Sequence, residues 1–218
     1  MATVAVFTGG AAVRSEEAAL AREADVVIAA DRGYKLAVAA GCVVDLLVGD
    51  LDSLSAPTVE RAAEAGVPIE RHPIDKDQTD LELALTYACA VPGVNRIVVF
   101  GAAGGRFDHM LANIAVLTAS APAGVQVEAW VDGTHIFVVR DRVVFEGDRG
   151  DTLTLLAYGG PARGVTTSGL RWPLVDATLD PSSGLGVSNE LVDSRVEVTV
   201  ASGVLLVMHL PQASSNAG

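Results

Sequence analysis

Lysine is scarce in this chain: Lys35 and Lys76 stand against 13 arginines. A Walker-type phosphate loop needs Gly-Lys-Ser/Thr, because its lysine must reach the phosphates from a glycine-rich turn. Lys35 follows Tyr34 and Lys76 follows Asp75, so that class of nucleotide hydrolase is excluded. Cysteine is scarce too. Cys42 and Cys89 make neither a disulfide framework nor a CxxC metal pair, and a reducing, cytoplasmic setting is the expectation. No apolar run approaches the ~18 residues of a membrane span. The longest, such as Ile97–Phe100 and Val204–Met208, are strand-sized. Met1–Phe7 carries no basic start, so a signal peptide is not expected. A net charge of −12, unbroken by any basic stripe, argues against a nucleic-acid partner.

What is present is apolar enough for a real core. Half of the 218 residues are hydrophobic, and the length suits one large domain or two small ones. The first part alternates strand and helix. Strands are predicted at Thr3–Phe7, Asp25–Ala30, Leu46–Val48, Arg96–Phe100 and Val125–Val131. Between them lie an Ala-rich helix capped at Ser15, with Glu16 and Glu17 early, and helices at Tyr34–Ala40, Ala56–Ala65, Thr79–Ala90 and Phe107–Ser120. Continuous apolar strands separated by helices predict a mostly parallel sheet with helices on both faces. After about Asp132 the helical periodicity stops. His135–Arg140, Arg142–Phe145, Thr152–Ala157, Arg195–Val200 and Gly203–His209 alternate or carry β-branched residues, with Gly, Pro, Asp and Ser between them. That pattern predicts an antiparallel β-sandwich or barrel. The fold class is therefore α/β with a second, all-β domain, divided as 1–133 and 134–218, and the tail Pro211–Gly218 is expected to be loose.

The segment Asp45–Asp80 carries the most chemistry. A strand runs into Gly49-Asp50-Leu51-Asp52-Ser53, and a helix is preceded by Asp75-Lys76-Asp77-Gln78-Thr79-Asp80. Both lie at strand ends or helix entrances, where open α/β sheets place ligands. If the strand continues, alternation points Asp50 and Asp52 the same way. Thr79 is placed to cap the helix, with Asp80 in its first turn. Either motif alone reads more readily as loop aspartates facing water. Together they read as a cluster in which each like-charge pair at ~4 Å costs roughly 4 kcal/mol without a cation. Hard oxygen donors and no histidine in either motif point to Mg²⁺, shared with phosphate oxygens and held by Asp50, Asp52, Asp75, Asp77 and Asp80. Lys76 reads as a phosphate contact beside the metal or as local charge balance.

A second segment, Phe100-Gly101-Ala102-Ala103-Gly104-Gly105-Arg106-Phe107-Asp108-His109, is a strand, a glycine-rich turn and a helix start. Bare N–H groups in such a turn suit a phosphate, although GxGxxG is not met. Arg106 is placed to pair with a phosphate, and Asp108 and His109 to orient it or touch a nucleotide. Gly9-Gly10 is either a simple βα turn or a further ligand contact. In the β half, Ser188-Asn189 is compatible with a turn, and Trp172 with either core or a stacking platform.

Six stretches in order resemble the thiamine pyrophosphokinase family. They are Ala30-Asp31-Arg32-Gly33, Gly49 to Ser53, Asp75 to Ala84, Gly104 to His109 with Asn113, Thr167 to Leu170, and Val187 to Glu190. The resemblance implies an enzyme that moves pyrophosphate from ATP to the hydroxyl of thiamine, giving thiamine diphosphate and AMP. It implies an ATP- and metal-binding α/β domain, a thiamine-binding β domain and a homodimer with composite sites. Asp50, Asp52 and Asp80 would be the main Mg²⁺ ligands. Gly9, Gly10, Asp31, Thr79, Lys76, Gly104, Gly105, Arg106, Asp108 and His109 would line the nucleotide and reaction centre. Ser188, Asn189 and Trp172 would meet thiamine. The family usually has Gly where this chain has Arg32, so either the backbone there is ordinary and Arg32 reaches a phosphate, or local binding is altered. Rival readings are a pyrophosphokinase for another alcohol such as a hydroxymethylpterin, a non-catalytic nucleotide or thiamine sensor, and a purely structural interaction protein.

Overall fold

A computed structural model describes residues 1–104, 106–119, 122 and 124–212. The chain divides into two compact units, Met1–Asp132 and Gly133–Gly218. In chain order, the first contains β1 (Ala2–Phe7), α1 (Ser15–Arg22), β2 (Val26–Ala30), α2 (Gly33–Ala39), β3 (Leu46–Gly49), α3 (Ala56–Glu64), β4 (Ile69–Arg71), α4 (Asp80–Ala90), β5 (Val94–Phe100), α5 (Phe107–Ala119) and β6 (Gln126–Val131). Ser120 and Ala121 lie outside the described residues. All strand pairs of this unit are parallel, and the spatial order is β4-β3-β2-β1-β5-β6. Successive strands step outward from β1 to β4, and then β5 returns to the other side of β1. The topological switch point is therefore between β1 and β5, where sheets of this kind open a crevice.

Both faces of the sheet are covered. Ala5, Phe7, Val27, Ala29, Leu47, Val98 and Phe100 share one buried cluster with Ala18 and Ala21 of α1, Tyr34 and Ala37 of α2 and Ala62 of α3. Phe7 and Phe100 are register partners on adjacent strands, and their rings stack 5.2 Å apart. The alternate residues Val4, Val6, Ile28, Val48, Ile97 and Val99 are also buried, and α4 runs against that side. Strands buried on both faces cannot alternate polar and apolar, which is why they read as unbroken apolar runs.

Most element bounds fall within two residues of the sequence reading, and two features differ from it. Helix α1 begins one residue earlier in its capping, with Arg14 at the cap position and its N–H donating to Glu17 Oε2 at 3.1 Å. Strand β4 was not anticipated: it is 3 residues long at the sheet edge, and Glu70 and Arg71 are exposed.

The second unit contains β7 (Thr134–Val139), β8 (Arg142–Glu146), β9 (Thr152–Ser168), β10 (Ala177–Leu179), β11 (Asn189–Glu190), β12 (Arg195–Thr199) and β13 (Ser202–Leu210). Among the described residues every strand pair within it is antiparallel. The long strand β9 belongs to two layers. Its first part pairs with β13, which pairs with β7, and its last residues pair with β12, which pairs with β8. The change of layer occurs around Gly159 and Gly164, both at positive φ, as a strand turning a sandwich corner requires. Leu153, Leu155, Val165, Leu179, Leu191, Val196, Val198 and Leu205 fill the space between. Gln212 of the tail is moored, its N–H donating to Asp151 Oδ1 at 2.8 Å, and residues 213–218 lie outside the described set. Among the described residues no helix is long and apolar enough to cross a membrane.

Candidate active site

A cleft of about 540 Å³ opens at the carboxyl edge of the parallel sheet. The ends of β1 to β5 supply its wall: Thr8, Gly9 and Gly10 after β1, Asp31 and Arg32 after β2, Asp50, Asp52 and Ser53 after β3, Lys76, Thr79 and Asp80 after β4, and Gly101 and Gly104 after β5. His109 and Asn113 of α5 close it on the far side.

The floor at the switch point is backbone against backbone. A β-carbon on Gly10 would fall 2.0 Å from the carbonyl oxygens of both Ala103 and Gly101. The Thr8 hydroxyl donates to Gly101 O, Ala11 N–H donates to Ala103 O, and Asn113 Nδ2 donates to Ala102 O at 2.9 Å. The first two bonds fix the loops after β1 and β5 to one another, and the third ties the β5 loop to α5.

The acidic wall gathers around Gly49. A β-carbon there would meet Asp80 Oδ1 at 3.1 Å and Asp31 Cβ at 3.3 Å, so only glycine lets the ends of β2, β3 and α4 converge this closely. Oxygens of Asp31, Asp50 and Asp52 lie within 4.8 Å of one another, a spacing suited to one hard cation. Strand β3 does not continue through these aspartates, as alternation assumed. It stops at Gly49, Leu51 turns to φ +64 and buries its side chain, and Asp50 Oδ1 accepts from Asp52 N–H at 3.1 Å. The two carboxylates are brought together by this turn instead of by a strand's period.

Lys76 bridges the two acidic motifs. Its ammonium is 3.3 Å from Asp50 Oδ2 and 3.0 Å from Asp80 Oδ1. Thr79 caps α4 as its position implied: Thr79 Oγ1 accepts from Glu82 N–H at 3.2 Å and Glu82 Oε2 accepts from Thr79 N–H at 2.6 Å. That box sets the first turn of α4 and hence Asp80. Asp75 and Asp77 are exposed and do not line the cleft.

The carboxylates are not equivalent. Asp31 sits at φ +47, accepts from the Ser53 hydroxyl, and keeps its other oxygen buried with no hydrogen-bond partner. Burial raises its pKa, aided by the charges of Asp80 and Asp50 against the Ser53 bond. Asp50 is held below the usual carboxylate range chiefly by the Asp52 N–H, with Lys76 assisting against burial. For Lys76, burial alone would lower the pKa, but Asp80 and Asp50 outweigh it and raise it. An acidic cluster with one electron-rich, unsatisfied oxygen is the environment a divalent cation completes.

Arg106 and Asp108 pair at the start of α5, with Arg106 Nε donating to Asp108 Oδ1 at 3.1 Å. Both are exposed, neither lines the cleft, and the guanidinium depresses the Asp108 carboxyl to about 2. Gly105 lies outside the described residues. Arg32, the departure from the family pattern, takes ordinary helical angles (φ −57, ψ −17), because Asp31 before it absorbs the left-handed turn. Its side chain crosses Gly9, whose missing β-carbon would lie 2.8 Å from Arg32 Cβ.

In the β unit, Asn189 is buried and ties three backbone groups. Its Oδ1 accepts from Trp172 N–H at 3.2 Å and from Glu190 N–H at 2.9 Å, and its Nδ2 donates to Trp172 O at 2.7 Å. Trp172 itself is 55% exposed, with Arg171 Cζ 5.0 Å from its ring centroid, so it is no core residue. Ser188 is exposed at φ +58 and donates its N–H to Thr154 Oγ1 at 3.1 Å.

Two family models match in succession: the thiamin pyrophosphokinase catalytic domain over residues 18–129, and the thiamin pyrophosphokinase vitamin B1 binding domain over residues 134–205. The first alone spans half of the chain. The chain belongs to the thiamin pyrophosphokinase family. Pyrophosphate transfer to thiamine is the activity of that family, and ATP and thiamine are its substrates. A thiamine pyrophosphokinase of Bacillus subtilis is 28% identical over 184 residues, which cover 83% of this chain and 85% of that protein. A rice thiamine pyrophosphokinase is 27% identical over 176 residues, covering 76% of this chain and 66% of its own length. The crystal structure of a B. subtilis thiamine pyrophosphokinase superposes with a TM-score of 0.84 at 25% identity, covering 97% of this chain and 100% of the other. The thiamin pyrophosphokinase of Candida albicans shares the fold at a TM-score of 0.77 and 15% identity, covering 95% and 90%. The cleft draws its acids from the ends of β2 and β3 and the start of α4. Asp31 was legible only through the resemblance to the family, since nothing in its own neighbourhood marks it as part of an acidic cluster.

Proposed function

We propose that the chain transfers the pyrophosphoryl group of ATP to the hydroxyl of thiamine, releasing AMP, and does so in the cleft at the β1–β5 switch point. The observation that carries this is the convergence of Asp31, Asp50 and Asp52 beside the close-packed glycine turns after β1 and β5. The donor set fits Mg²⁺: hard carboxylate oxygens close enough to share one ion, including a buried Asp31 oxygen that lacks a partner. Bound there, Mg²⁺ would neutralise phosphate charge. Asp80 belongs to the same site through Lys76, while Asp75 and Asp77 would shape the field from outside.

The chain's own residues supply position and charge. Backbone N–H groups of the turns at Gly9–Gly10 and Gly104 would receive the triphosphate, with Arg32 and Thr79 beside it. His109 would line the nucleotide, and Arg106, paired with Asp108 outside the cleft, would turn to meet phosphate when the nucleotide binds. Ser188 and Trp172 would face thiamine, and Asn189 would hold the loop that presents Trp172. The attack of the thiamine hydroxyl on the β-phosphorus is then a matter of orientation and charge neutralisation, as in other phosphoryl transfers.

A homodimer with composite sites accords with the apolar surface left over. Phe107 and Leu111 of α5 are exposed, as are Trp172, Val175 and Val187 of the β unit. Mixing the protein with ATP, Mg²⁺ and thiamine should yield AMP and thiamine diphosphate in equal amounts. Appearance of ADP, or transfer to a hydroxymethylpterin and none to thiamine, would overturn the assignment.

A further inference from the structure

The ammonium of Lys76 stands where a cation is wanted. It touches Asp50 Oδ2 at 3.3 Å and Asp80 Oδ1 at 3.0 Å, with only 13% of the lysine side chain exposed. Asp50 is also one of the three carboxylates whose oxygens fall within 4.8 Å of one another. The same acid thus serves a monovalent cation of the chain and the divalent site proposed above.

We infer that Lys76 is a built-in counter-cation: it neutralises the acidic wall while no metal is bound and withdraws from Asp50 when a divalent ion is held there. The inference rests on the metal reading of the cleft. Two positive charges on one carboxylate repel, and a partly buried pair is screened far less than a surface pair. Lys76 is able to yield. Its charge is a compact ammonium on a flexible four-carbon stem, and it belongs to the irregular segment between β4 and α4. Withdrawal from Asp50 leaves the ammonium beside Asp80 at the cleft, with one side open for a phosphate oxygen as its next anion. Lys76 is therefore a positioning residue before it is a phosphate contact, and it makes metal loading and phosphate capture successive uses of one charge.

The rival account is a fixed brace, in which Lys76 only ties the β3 turn to the start of α4. Metal binding in the absence of nucleotide separates the two. Free Mn²⁺ would be followed by electron paramagnetic resonance at pH 8 with wild type, Lys76→Met, Lys76→Gln and Lys76→Arg. Withdrawal predicts Mn²⁺ binding at least tenfold tighter in Lys76→Met and Lys76→Gln, and near wild type in Lys76→Arg. It also predicts a larger rise in melting temperature on adding Mn²⁺ to the neutral variants. Equal affinity in wild type and the neutral variants would overturn the inference and leave the metal reading intact. Weaker binding in them would show that Lys76 supports the site, which also overturns it. No Mn²⁺ binding by any form would remove the metal reading along with it.

Discussion

Gly10→Ala is a demanding perturbation of the switch point, because the added carbon meets backbone on two sides. It would lie 2.0 Å from the carbonyl oxygens of Gly101 and Ala103, whereas an unstrained carbon–oxygen contact is about 3.3 Å or more. Neither oxygen belongs to a side chain that can rotate away, so the loops after β1 and β5 must separate by more than about 1 Å. Overpacking typically costs about 1–3 kcal/mol, and a double clash with backbone belongs at the top of that range. At roughly 2–4 °C per kcal/mol for a chain of this size, the melting temperature of the α/β unit should fall by about 6–12 °C. The same movement displaces the glycine turns that receive phosphate, and a misplacement of about 1 Å can cost on the order of a hundredfold in rate. Melting followed by circular dichroism and steady-state kinetics at varied ATP would read both effects. Gly160→Ala is the control, since nothing lies within 4 Å of its added carbon. The reasoning fails if Gly10→Ala melts with wild type and keeps its kcat/KM for ATP.

Other outcomes follow from the same geometry. Asp50→Asn should lower kcat by about two to three orders of magnitude, the effect of several kcal/mol of charge stabilisation, while thiamine binding measured by calorimetry changes little. Arg32→Ala should raise KM for ATP by roughly tenfold or more, as loss of a charge-assisted hydrogen bond does, and leave KM for thiamine unchanged. Trp172→Ala should raise KM for thiamine with stability within about 0.5 kcal/mol of wild type, whereas Asn189→Ala, which strands three backbone groups, should lose about 1–3 kcal/mol in urea unfolding. Asp151 is buried, and although burial raises its pKa, hydrogen bonds from Gln212, His209 and Asp148 outweigh this and leave it depressed. A depressed carboxyl stabilises the fold above its unfolded pKa of about 3.9 and loses that contribution as pH falls through the folded value. The stability gap between wild type and Asp151→Asn should accordingly be full at neutral pH and shrink below about pH 4.

Much of this was readable from residue order, for physical reasons that also explain the gaps. Strands buried on both faces announce themselves as apolar runs, and Thr79 three residues before Glu82 announces a capped helix. Strand β4 escaped notice because an edge strand with exposed Glu70 and Arg71 has no core face to impose a pattern. The length of β9 was hidden by Gly159-Gly160-Pro161, a sequence that reads as a turn and here bends a continuing strand. The Asp50 and Asp52 pairing was anticipated for the wrong local reason: a left-handed Leu51 replaces strand alternation. Asp31 joins the acids only because β2 and β3 are neighbours in the sheet, and no local spacing records that neighbourhood. Asp75 and Asp77, close to Asp80 in sequence, face outward.

The bent strand β9 has a further consequence. Thr154 Oγ1 receives the N–H of Ser188, Leu153 is the register partner of Asn189, and Thr166 and Thr167 receive the N–H groups of Asp176 and Leu174. The two loops that carry Trp172 and Ser188 hang from opposite ends of this strand, and they are clasped to each other by Asn189 on Trp172 and by Arg171 N–H donating to Glu190 O at 2.9 Å. An insertion at the Gly159 corner would therefore strain that clasp from a distance, without touching either loop.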